Sequence, residues 1–299
     1  HNSSSYLDKF IFDKKYPRTN GYALFSADGW GTLQGSIIGG YGAPDSSNYE
    51  YIQIKGGPNV DTDADNTKEL FPGLLDGKSN IYNASKNQKS NLALKSENGF
   101  TVEFWLQKDA FTTTKTEKEV VFDLWNGSNS SSISYGRLTI ELTGTSGSPF
   151  LVTVQSGTKG YFQQSIGTSP TTSSLSTWAH YAFTFISSSS AVETKFYVNG
   201  DLEQTLSTGT SINEITGNLI ANIGSLRTAP SASTTTLAGT YSSIVQGYGK
   251  LSGSIDEFRY WTKKRTSEDI GRNWFTQING GTNTDVGLSG TFAGKYNEE

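Results

Sequence analysis

Hydrophobic and polar positions alternate with period two along most of this chain, and that alternation predicts β-strands. Phe100, Val102, Phe104 and Leu106 alternate with Thr101, Glu103 and Gln107, so one face of this strand is expected to be buried. Similar runs follow at 120–125, 137–142, 150–155 and 178–186, the last with Tyr181, Phe183 and Phe185 on one side. Further runs lie at 195–198, 201–203, 219–223 and 254–261, and an earlier one at 49–54. Asn199-Gly200 separates two of these runs, which predicts a hairpin because a type I′ turn needs positive φ at both central residues. A single helix is predicted after the last strand. Thr266 caps it, Asp269 stands three residues on, Ile270, Trp274 and Phe275 form its apolar stripe, and Asn279-Gly280-Gly281 ends it. Many short strands with turn residues between them predict an all-β fold, an antiparallel two-sheet β-sandwich or jelly roll with one short C-terminal helix. Phe104, Phe122, Phe183, Phe196 and Phe258 are expected to point inward.

Composition fits a core built from few but large side chains. Hydrophobic residues are only 34% of the chain, yet 12% are aromatic, and the 33 glycines suit many turns. A net charge of −4 gives no basic face for phosphates, which argues against a nucleic-acid partner. No apolar run approaches a membrane span, and no cysteine is present for disulfides or thiolate chemistry. No methionine is present either, so the chain is expected to be a module of a longer polypeptide. Residues 1–70 read as an extension of short strands and loops, 71–276 as the sandwich, and 277–299 as a tail or the start of a next module.

Four stretches occur in an order that resembles laminin-G-like members of the concanavalin A-like superfamily. They are Gly99-Phe100-Thr101-Val102-Glu103-Phe104-Trp105-Leu106, Trp178-Ala179-His180-Tyr181-Ala182-Phe183-Thr184, Phe196-Tyr197-Val198-Asn199-Gly200, and Gly253-Ser254-Ile255-Asp256-Glu257-Phe258-Arg259-Tyr260-Trp261. The helix opening at Thr266 also stands where the family has one. The resemblance covers roughly residues 71–276 and implies a jelly roll of the kind found in bacterial and phage surface proteins.

The superfamily includes glucanases, whose carboxylates are spaced Glu-x-Asp-x-x-Glu on one strand face. No Glu of this chain has Asp two residues later, so that active site is not present in sequence. His180 is the only internal histidine and sits among strand aromatics, a poor setting for a catalytic base. Calcium is a better candidate. Asp61, Asp63 and Asp65, with Glu69, imitate part of an EF-hand loop, but Asn66 and Pro72 stand where Gly and a bidentate Glu are needed. A solvated acidic loop is the plainer reading. The resemblance also implies Asp256, on the last strand, as a structural calcium ligand, with turn capping as its alternative. For sugars, an aromatic platform flanked by amides and carboxylates is expected. The loop aromatics are Trp30, Tyr41, Trp125, Tyr135, Tyr161, Tyr241 and Tyr248. Trp125 at a strand end, with Asn126 and Asp123, is the first choice, and Tyr135 and Tyr248 come next.

These readings point to a non-catalytic recognition or structural module of a larger virion or surface adhesin protein. Its expected partners are glycans or host-surface polysaccharide and neighbouring modules or subunits, and its expected place is extracellular or on a virion surface. A spacer without ligand is the second reading and a glycoside hydrolase the third. The sequons at Asn83, Asn126 and Asn129 matter only in a eukaryotic secretory setting.

Overall fold

The computed structural model describes residues 23–25, 40–41, 52–55, 92, 94, 96–111, 118–144, 147–215, 219–228, 230 and 247–276. The predicted Asp61, Asp63 and Asp65, and also Trp30 and Tyr241, lie outside the described residues.

Two antiparallel sheets face each other. In spatial order the first contains β1 (Ala23–Phe25), β12 (Gly253–Trp261), β3 (Phe100–Lys108), β8 (Ala179–Ser187), β9 (Val192–Val198) and β10 (Asp201–Thr208). The second contains β2 (Ile52–Lys55), β11 (Ile220–Ile223), β4 (Lys118–Trp125), β5 (Gly136–Thr143), β6 (Phe150–Ser156) and β7 (Lys159–Ile166). Aromatic rings bridge the gap between them. Phe122 of β4 lies 5.0 Å from Phe258 of β12, and Phe150 of β6 lies 5.0 Å from Tyr181 of β8, centroid to centroid. Phe104, Phe122, Phe183 and Phe196 are fully buried in this core and Phe258 packs against it, as the alternation predicts.

The Asn199-Gly200 turn forms between β9 and β10 with φ of 50° and 86°, the left-handed pair that a type I′ turn requires. The predicted helix, α1 (Ser267–Asn273), has both halves of the capping box: the Thr266 hydroxyl accepts from the Asp269 N–H, and the Asp269 carboxylate accepts from the Thr266 N–H.

Two features differ from the sequence reading. Strand β7 breaks the alternation because a bulge opposite Thr153 inserts Gln163 at φ 46°, so its period-two signal is lost. Tyr161, expected on a loop, therefore lies on β7, buried, with its hydroxyl 2.6 Å from Thr194 Oγ1. The second difference concerns the outer faces. On β3 and β5 the polar residues Thr101, Glu103, Arg137, Thr139 and Glu141 are as buried as the apolar ones. Segment 262–276 covers the first sheet's outer face, through Arg265 on Glu103, Ile270 on Ala182 and Tyr197, and Trp274 on Trp105. On the second sheet, Tyr41, Leu226 and Tyr248 pack over Val120, while Arg227 and Thr228 bond to the polar row.

Candidate functional site

The polar row on the outer face of the second sheet follows from register. Asp123 of β4 pairs with Thr139 of β5, and Trp125 pairs with Arg137, so Asp123, Trp125, Arg137, Thr139 and Glu141 share one side. Arg137 donates from Nε and Nη2 to the two Asp123 oxygens, both at 2.6 Å, and from Nη1 to Thr228 Oγ1 at 2.9 Å. Asp123 also accepts from Thr139 Oγ1 at 3.1 Å and from the Arg227 N–H at 2.6 Å. Four hydrogen bonds and a guanidinium thus neutralise a carboxylate that water does not reach.

At the end of β4, Trp125 packs on Tyr135, with the Arg137 guanidinium 5.9 Å from its ring, and donates from Nε1 to Ser128 O at 2.8 Å. Asn126 donates to Ser134 O and accepts from the Ser128 and Gly136 N–H groups. These bonds fix the 126–135 loop. The expected aromatic platform is corrected accordingly. Trp125 is 1% exposed, and Tyr135 and Asp123 are 0% exposed, so they hold the loop from beneath and present no face to a surface ligand. Asn126 is buried and its carboxamide is occupied by the loop. Tyr248 does not join them. It packs near Val120, at the opposite end of β4.

That opposite end carries a second cluster. Tyr41 donates to Glu141 Oε1 in a short hydrogen bond. Gln163 Nε2 donates to Tyr41 OH at 2.7 Å and to Glu141 Oε2 at 3.2 Å, and Lys118 Nζ donates to Gln163 Oε1 at 2.8 Å. Burial pushes the Glu141 carboxyl up to about 7, although Lys118 and Tyr41 oppose the rise. Burial pushes the Lys118 amine below its ordinary value, and Glu141 opposes this in turn. The signal for this row was present in Arg137-x-Thr139-x-Glu141, a period-two polar face on one strand.

The first sheet's outer face carries the counterpart. Glu103 accepts from Arg265 Nη1 at 2.6 Å, and Arg259 Nη1 and His180 Nε2 lie 3.9 Å and 3.4 Å from its second oxygen. Burial alone would raise the Glu103 carboxyl, but His180 and Arg265 outweigh it and hold it below the ordinary value. Burial, helped by Arg259 and Arg265, pushes the His180 imidazole down despite Glu103. His180 is enclosed between Trp105 and Trp274 and is 1% exposed.

Calcium prefers six to eight oxygens, and no group of three or more His, Cys, Asp or Glu side chains suited to a metal forms among the described residues. Asp256 Oδ1 accepts from the Glu257 N–H at 2.8 Å, at the bulge that gives Glu257 its φ of 48°. This bond is the one that the turn-capping alternative expects of Asp256.

Comparison with known proteins places the chain. It matches no curated protein. Among solved structures it resembles the heptameric SAP-like pentraxin of Limulus polyphemus, with a TM-score of 0.36, 11% identity, and 60% of this chain and 70% of that chain covered. It also resembles the CBM40 domain of the Ruminococcus gnavus IT-sialidase bound to α2,3-sialyllactose, with a TM-score of 0.34, 13% identity, and 60% and 85% covered. Mouse laminin α1 domains LG4–5 give a TM-score of 0.36 at 10% identity, with 79% of this chain covering 48% of that fragment. These likenesses say nothing of ligand or activity. The family comparison is decisive: residues 76–271, about two thirds of the chain, match the laminin G model described as the concanavalin A-like lectin/glucanases superfamily, and the protein belongs to that family.

Proposed function

We propose that this chain is a non-catalytic glycan-recognition module that works as part of a larger surface or virion protein. The observation that carries the reading is the fate of the strand carboxylates. Two carboxylates on one sheet face are what glycoside hydrolysis uses, and Asp123 and Glu141 on neighbouring strands are such a pair by placement. Both are 0% exposed, and Asp123 is bound by a guanidinium, so neither is presented to a sugar at the surface. Glu103 is likewise held by Arg265. Carboxylates used this way build a rigid scaffold and leave recognition to loops.

The buried Trp125, Asn126 and Tyr135 point to the rim they support. Loop 126–135 is joined to the β6–β7 turn by Gly157 N–H donating to Tyr135 O at 2.6 Å. Segment 209–215 is joined to the start of β7, beside that turn, by Gly160 N–H donating to Thr210 Oγ1 at 3.0 Å. The rim exposes Ser131, Ser134, Thr158, Asn213 and Glu214, hydroxyls, an amide and a carboxylate suited to sugar hydroxyls. A shallow surface of this kind binds weakly as a single site, so the assay must be multivalent. Protein displayed on beads is expected to capture at least one member of a broad polysaccharide panel, and Asn213→Ala with Glu214→Ala is expected to weaken capture about tenfold, which is ~1.4 kcal/mol. No capture on the whole panel would favour the spacer reading, and reducing-sugar release would favour the hydrolase.

A further inference from the structure

We propose that Lys118 and Gln163 join in a self-made isopeptide bond between Nζ and Cδ, with Glu141 as the proton-transfer residue. The proposal is independent of glycan recognition and concerns the cluster at the other end of the polar row.

The geometry sets each group on the side its role needs. The lysine amine approaches the acyl end of the carboxamide, with Nζ 2.8 Å from Gln163 Oε1. The carboxyl sits on the leaving-group end, with Glu141 Oε2 3.2 Å from Gln163 Nε2. Tyr41 holds the other Glu141 oxygen and accepts from the same Nε2 at 2.7 Å, which fixes the carboxamide plane. Holding amine and acyl group together in this way turns an otherwise slow amide exchange into a step within one molecule.

Two backbone features serve the same placement. Gln163 takes φ 46° at the β7 bulge, and its N–H donates to Thr153 Oγ1 at 2.9 Å. A bulge re-aims a side chain, and strain of this kind is held where the surroundings impose it. Gly40, at φ 89°, makes room for the lysine stem, because a Cβ there would lie 2.7 Å from Lys118 Cε. The Lys118 Nζ lies 4.6 Å from the centre of the Tyr41 ring. Lys118 is part-buried, and these partners position its amine beside the carboxamide. Burial shifts both groups toward their neutral forms, lowering the lysine and raising the glutamic acid to about 7.

The step balances without a further reactant. Lys118 Nζ forms a bond to Gln163 Cδ, and the Cδ–Nε2 bond breaks. Glu141 gives its proton to the departing Nε2 and takes one from Nζ, ending as it began, and one ammonia leaves. The product ties β4 to the edge strand β7 across β5 and β6, closing a loop between residues 45 apart in sequence. A covalent tie of that kind resists shear and local opening of the edge.

The test is the intact mass of the purified full chain after incubation at neutral pH. The expected mass is below that of the sequence by one ammonia, and Lys118→Arg restores the sequence mass. Succinimide formation at an Asn-Gly pair also releases ammonia, so the protein is then unfolded and digested with trypsin. The expected result is one branched peptide that contains both Lys118 and Gln163, uncleaved after Lys118. Glu141→Gln is expected to show the sequence mass and two linear peptides. Wild-type protein at the full sequence mass, with Lys118 and Gln163 in separate peptides, overturns the proposal, and that outcome does not depend on any variant folding. A folded Glu141→Gln protein that still carries the branch overturns the role of Glu141.

Discussion

Asp123 and Arg137 exclude water from each other's charge, and each is the other's reason for being tolerated inside the fold. Removing one partner leaves an uncompensated buried ion, whereas replacing both with apolar groups removes the desolvation cost as well. Asp123→Ala is therefore expected to destabilise the protein by about 3–5 kcal/mol, and Asp123→Leu with Arg137→Met to recover much of that loss, as read by urea unfolding. Glu141 makes the opposite kind of contribution. Its carboxyl rises from 4.5 to about 7 on folding, so the native state holds the proton more tightly than the unfolded chain. The stability this supplies is complete below the unfolded value and is lost as pH rises from 4.5 to about 7, a loss of roughly 3 kcal/mol. His180 changes stability in the other direction, because its lowered value costs stability as pH falls through 6.5. Comparing wild type with Glu141→Gln at each pH cancels the histidine. The variant is expected to lack the downward slope between those two pH values, whatever its absolute stability, and equal slopes would refute the burial account.

The β9–β10 hairpin shows how a local element is tied to a distant one. Gly200 has φ 86°, and a Cβ there would lie 2.2 Å from Cδ1 of Trp274, just beyond α1. Backbone strain and a clash with a buried indole act together, so Gly200→Ala is expected to cost more than about 1 kcal/mol. Thermal unfolding checks it, and a variant as stable as wild type would show that the turn and Trp274 are not in register. At the same helix, Thr266→Ala removes one half of the capping box, with an expected cost of about 1 kcal/mol. That loss should loosen the segment that covers Glu103 and His180. Fluorescence is a suitable readout, because Trp274 of that segment stands 5.6 Å from Trp105 beneath it.

At the scale of the whole molecule, two six-stranded sheets among the described residues share one aromatic core, and part of each outer face is covered again by loops or helix. The calcium reading belongs to this scale, since an ion that binds only the native state raises its melting temperature. If Asp61, Asp63 and Asp65 hold Ca²⁺, millimolar Ca²⁺ raises the melting temperature and EDTA lowers it. An unchanged curve leaves the solvated acidic loop.

The sequence by itself determined what depends on neighbours along the chain. Period-two alternation located ten of the strands, Asn199-Gly200 located the hairpin, and Thr266 with Asp269 located the helix cap, because each signal is written within a few residues. Strand β7 was lost because its bulge at Gln163 breaks the local period, and β1, three residues long, is too short to show one. Which face a polar residue turns to water was decided only by tertiary structure. Alternation assigns Asp123, Arg137 and Glu141 to a side, but that side is covered by residues far away in sequence, among them Arg227 and Tyr41. Trp125 and Tyr135 carry the same lesson. An aromatic beside a strand end reads identically whether it faces solvent or a neighbouring side chain, and only packing buried these two beneath the rim.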